Sequence, residues 1–124
     1  MLLLDKFFKL TQIERISESE VVCKVRLIED CDCYRGHFPG KPVSPGVCNI
    51  EMIRECAEAI LEKDLFISNI KQCRLTAVSS PAICPALSVN MDIASTDAGY
   101  AVKAKITDDY NTYMEFKGQL IVKQ

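Results

Sequence analysis

Val47-Cys-Asn-Ile-Glu-Met-Ile-Arg-Glu-Cys-Ala-Glu-Ala-Ile-Leu-Glu-Lys63 decides the fold. Val47, Ile50, Ile53, Ala57, Ile60 and Leu61 fall on one side of this stretch, the spacing of an amphipathic helix of about four to five turns. A helix with such a stripe needs a surface to bury it against. Beyond it the chain reads as strand over Leu65–Leu75, Leu87–Ala94, Tyr100–Ile106 and Thr112–Val122, with turns at Asp97-Ala-Gly99 and Asp108-Asp-Tyr-Asn111. Before it, Gln12–Ile28 alternates, with Val21, Cys23, Val25 and Leu27 on one face and Ser17–Glu20 as a hairpin turn, which predicts two more strands. Leu3–Leu10, with Leu3, Leu4, Phe7, Phe8 and Leu10 apolar, predicts a short flanking helix. One long helix and an antiparallel sheet of about five or six strands make a two-layer α+β domain with the helix covering one sheet face.

A length of 124 residues predicts one domain over 1–124, and 48% apolar with 26% charged residues is the balance of a globular chain. The net charge of −2 offers no general attraction to phosphate backbones or anionic lipid, so neither nucleic acid nor membrane is an expected partner. The apolar run at Met1–Leu4 is cut by Asp5 and Lys6, short of a signal peptide or a span, which leads us to expect a cytoplasmic protein. Seven cysteines is an odd number. Cys23, Cys56 and Cys73 sit in apolar or strand-like runs, where a reduced thiol packs as a small hydrophobe, and a disulfide scaffold is not expected.

Between hairpin and helix runs Tyr34-Arg-Gly-His-Phe-Pro-Gly-Lys-Pro-Val-Ser-Pro-Gly46, with Pro39, Pro42 and Pro45 bracing an extended connection. It carries His37, the one histidine of the chain, and opens directly into the helix. The first N–H groups of a helix have no intrahelical acceptor. Pro45 has none to offer, so Gly46 and Val47 are the first donors, and the missing side chain at Gly46 lets a ligand carbonyl approach. Glu51 follows on the second turn, at the edge of the apolar stripe, where partial desolvation favours the protonated acid. A lone histidine or a helix glutamate is by itself unremarkable; together, beside an open helix end, they form a candidate acid/base pair.

Gly36-His37-Phe38-Pro39-Gly40-Lys41-Pro42-Val43-Ser44-Pro45-Gly46-Val47, with Glu51 in register, resembles the active-site segment of 3-hydroxyacyl-acyl carrier protein dehydratases. Ile70-Lys-Gln-Cys-Arg-Leu75 is similar to that family's strand after the central helix. The resemblance implies a hot-dog fold, a long central helix wrapped by a curved antiparallel sheet. It further implies a homodimer joined edge to edge, open to higher assembly, with histidine and glutamate of each site on different subunits. His37 would then take the α-proton of a thioester whose carbonyl is held by the N–H groups of Gly46 and Val47. Glu51 of the partner chain would protonate the leaving β-hydroxyl, giving a trans-2-enoyl thioester. Phe38, Pro45 and Asn49 would line the acyl tunnel. The substrate would ride on the phosphopantetheine of acyl carrier protein, an acidic partner for which Lys41, Lys71 and Arg74 are docking candidates. No other cofactor is implied, and glutamate in place of aspartate implies dehydration without isomerisation.

The chain also departs from the family pattern. Glu55 stands where glutamine is common, Arg54 where a small apolar residue is usual, and Cys48 and Asn49 replace bulkier apolar residues. Fatty-acid and specialised polyene or polyketide substrates therefore both stay open. A hot-dog domain can also be a thioesterase or a non-catalytic acyl-binding subunit, and His37 is the residue that separates those readings from dehydration. Cys31, Cys33 and His37 could offer three ligands to zinc, but no fourth lies at a persuasive spacing, and no metal is expected.

Overall fold

A computed structural model describes residues 4–28, 46–77 and 85–123. In chain order the elements are β1 (Phe8–Arg15), β2 (Glu20–Leu27), α1 (Gly46–Leu61), β3 (Leu65–Leu75), β4 (Ala86–Ser95), β5 (Tyr100–Thr107) and β6 (Thr112–Val122). The six strands form one sheet in the order β1-β2-β4-β5-β6-β3, with every pairing antiparallel. The α+β expectation holds. Register carries the apolar alternation across the sheet: Val21 faces Met91, Met91 faces Ala104 and Ala104 faces Phe116, all four buried. A one-residue slip of any strand would turn its apolar set to the outside, so this pattern pins the register.

The sheet curls round the helix. Five strand spacings of roughly 4.8 Å would set the edges of a flat sheet about 24 Å apart, more than twice the width of a helix at about 10 Å. Yet α1 reaches both sides. Towards β1, Arg15 Nη2 donates to Ile60 O at 3.2 Å, and just before that strand Leu4 N–H donates to Glu55 Oε1 at 3.0 Å. Towards β3, Arg54 Nη1 donates to Leu65 O at 2.8 Å, and Leu65 N–H donates to Glu58 Oε2 at 2.9 Å.

Wrapping changes which helix residues are covered. Asn49, Met52, Ile53, Cys56, Ala57 and Ile60 are buried, and so are Arg54 within the predicted stripe, Glu58 at its edge and Glu55 on the far side. Val47, assigned to the apolar stripe, is 74% exposed. The helix ends at Leu61, two residues before the expected stop, because Glu62 takes a left-handed φ of 55°.

The predicted flanking helix at Leu3–Leu10 is corrected. Asp5 has a φ of 67°, which breaks a helix, and residues 5–7 turn so that β1 begins at Phe8. Phe7 and Phe8 are both buried, and their backbone is claimed by the sheet: Ile28 N–H donates to Phe7 O, and Phe8 pairs with Leu27. Cys73 is exposed on β3, against the expectation of a packed thiol; Cys23 and Cys56 are buried and share a thiol hydrogen bond between β2 and α1. None of the four described cysteines is in a disulfide. Among the described residues no helix is long and apolar enough to cross a membrane.

Candidate active site

Gly46 and Val47 open α1, as the proline-braced connection requires. A Cβ built on Gly46 would meet nothing within 4 Å, and no acidic residue occupies the first turn. The first N–H groups of α1 have no intrahelical acceptor, and there is room in front of Gly46, an arrangement able to receive a carbonyl or an anion. Glu51 lies one turn further on, its side chain 25% exposed and so reachable from outside. His37, Phe38, Lys41 and Pro45 lie outside the described residues, as do Cys31 and Cys33. Among the described residues no group of three or more His, Cys, Asp or Glu side chains could hold a metal ion.

The protonation expected of Glu51 is overturned. Burial does push its carboxyl up, as the edge of an apolar stripe should. Hydrogen bonds with Arg54 and Glu55, and the charges of Arg54 and Lys123, outweigh that, and Glu51 is held below the ordinary glutamate range. Arg54 Nε donates to Oε1 at 3.0 Å and to Oε2 at 3.1 Å, and Nη2 donates to Oε2 as well. Sequence reading marked Arg54 as an intrusion without giving it a partner. The signal was present in the spacing, since Glu51, Arg54 and Glu58 follow one another at i, i+3 and i+7 along one side of a helix.

Asn49, expected in the acyl tunnel, is fully buried, and among the described residues its Oδ1 and Nδ2 have no hydrogen-bond partner. Lys71 and Arg74 sit exposed on β3, on a different element from Glu51. Arg74 Nη1 is 3.6 Å from Glu115 Oε2, and Lys105 approaches the same carboxylate at 3.7 Å. The charge of Arg74 is thus partly answered within the sheet.

Comparison with known proteins shows the family. Residues 12–114 match the family model described as ApeI-like, ApeI dehydratase. The 3-hydroxyacyl-[acyl-carrier-protein] dehydratase FabZ of Caldicellulosiruptor saccharolyticus is 31% identical over 120 residues, covering 88% of this chain and 84% of that protein. The FabZ of Levilactobacillus brevis is 26% identical over 102 residues, 73% of this chain and 69% of that one. Among solved structures, the dehydratase heterocomplex ApeI:P from Xenorhabdus doucetiae superposes with a TM-score of 0.71 at 21% identity, covering 91% of this chain and 96% of that one. The fold is the hot-dog fold. The chain belongs to the ApeI-like dehydratase family, FabZ-like in sequence and hydro-lyase in class.

Proposed function

We propose that the protein removes water from 3-hydroxyacyl thioesters carried on the phosphopantetheine of acyl carrier protein, releasing trans-2-enoyl thioesters. The observation that carries the reading is Glu51, reachable from outside, one turn below an open helix start, within a family match spanning residues 12–114. In this reading the N–H groups of Gly46 and Val47 hold the thioester carbonyl and stabilise the enolate as His37 takes the α-proton. Glu51 holds the β-hydroxyl that departs. Phe38, Pro45 and Asn49 line the acyl channel, and no cofactor beyond the carrier's own is used.

Two chains complete the site in this proposal, His37 from one and Glu51 from the other. The support is β3, an edge strand paired only with β6 among the described residues, which leaves Phe66 40%, Ile70 44% and Leu75 52% exposed. A long edge with apolar side chains invites pairing with another strand. A homodimer is the primary reading. The heteromeric state of ApeI:P favours, as a second, a different hot-dog chain at that edge. Carrier protein docks at Lys41, Lys71 and Arg74, and the reaction takes place in the cytoplasm.

The test is turnover of acyl carrier protein-bound 3-hydroxyacyl substrates of varied length and unsaturation, read by mass spectrometry. Loss of one water with the acyl group still on the carrier supports the reading, whereas free carrier thiol identifies a thioesterase. His37→Ala should abolish turnover, and an unchanged rate in that variant sinks the mechanism.

A further inference from the structure

Arg54 is held on two sides. Nε and Nη2 converge on the Glu51 carboxylate. On the far side, Nη1 donates to Leu65 O at 2.8 Å and lies 3.0 Å from Glu58 Oε2, which itself accepts Leu65 N–H at 2.9 Å. The Arg54 side chain is 10% exposed and that of Glu58 7%. Swinging the guanidinium away would strand a buried carboxylate and the buried carbonyl that begins β3, so Arg54 offers Glu51 one fixed fork. Planar guanidinium–carboxylate pairing of this kind fixes orientation as well as charge. A glutamate serving as a general acid near neutral pH is ordinarily placed the other way, in an apolar pocket that raises its proton affinity.

Resting on the dehydration reading above, we propose that Arg54 is a positioning residue: it holds Glu51 as an ionised acceptor for the substrate's β-hydroxyl instead of as the acid that protonates it. The proton account then closes on imidazole. His37 takes the α-proton, the enolate electron pair forms the Cα–Cβ double bond, and the Cβ–O bond breaks. The imidazolium returns the same proton to the leaving oxygen, which departs as water, while Glu51 stays a carboxylate throughout. The charged and titratable groups facing Glu51 among the described residues are Arg54 and Glu55 on α1 and Lys123 just after β6.

The experiment compares pH–rate profiles of the wild-type assembly, Arg54→Met and Arg54→Lys on a carrier-bound 3-hydroxyacyl substrate, alongside a carbon-13 titration of Glu51 in labelled wild-type protein. The Glu51 signal, assigned by its loss in Glu51→Gln, should show a carboxylate at neutral pH. R54M should lose about ten- to a hundredfold in kcat with little change in KM, because orientation is lost after substrate is bound. With the hydrogen bonds and charge of Arg54 removed, its acid limb should move to higher pH, and R54K should recover part of the rate. A protonated Glu51 at neutral pH overturns the proposal whatever the Arg54 variants do. So does an R54M enzyme that is faster than wild type, or one whose profile is unmoved. Absence of wild-type dehydration, or full turnover by H37A, would instead bring down the parent reading and this proposal with it; turnover with a protonated Glu51 brings down this proposal alone.

Discussion

Asn49 sits on the first turn of α1 with 0% exposure and an amide that has no hydrogen-bond partner among the described residues. A buried unpaired polar group of this kind costs about 1–3 kcal/mol. Asn49→Leu, which restores a bulkier apolar side chain, should therefore raise the unfolding free energy by about 1 kcal/mol in urea denaturation. A comparable loss would mean that the working assembly satisfies the amide. Glu51 supplies a pH-dependent counterpart. Its folded carboxyl titrates below the unfolded value of about 4.3, so its contribution to stability is complete above that value and is lost as pH falls through the folded one. The stability gap between wild type and Glu51→Gln should accordingly shrink between about pH 7 and about pH 3. A gap that widens in acid reverses the assigned direction.

Arg54 and Glu58 stand one turn apart on α1, and element contacts decide what they hold. They tie the helix to the first residue of β3, and Glu58→Ala strands both Leu65 N–H and one face of Arg54. We expect that substitution to cost about 2–3 kcal/mol, read as a lowered thermal midpoint, with Arg54 still paired to Glu51. Strand pairing sets a second requirement at Gly118, which faces Ile70 between two irregularities in the β3–β6 ladder. A Cβ there would stand 2.6 Å from Asn69 O and 2.9 Å from the Phe116 ring. Gly118→Ala should lower stability by about 1–3 kcal/mol, since backbone must shift to admit it; a neutral result would show that the ladder relaxes freely.

At the scale of the whole molecule the shared-site proposal makes the sharpest demand. Chains carrying His37→Ala and chains carrying Glu51→Ala should each be inactive alone, and verified mixed dimers should regain activity through the one site left intact. No rescue in such dimers rejects the two-chain site. How much could be read beforehand follows from the range of the forces involved. The sequence by itself determined α1, the strands β2 through β6, the hairpin and loop turns, and the position of Glu51 one turn below the helix start, because periodicity, proline and turn chemistry act over a few neighbouring residues. Only the tertiary structure decided that Phe7 and Phe8 are claimed by the sheet, that Glu55 and Glu58 are covered, and that Arg54 reaches the backbone that begins β3. Each of these depends on a sheet whose two edges close around one helix, so the environment of Arg54, Glu55 and Glu58 is supplied by residues far away in the chain, which no local pattern carries.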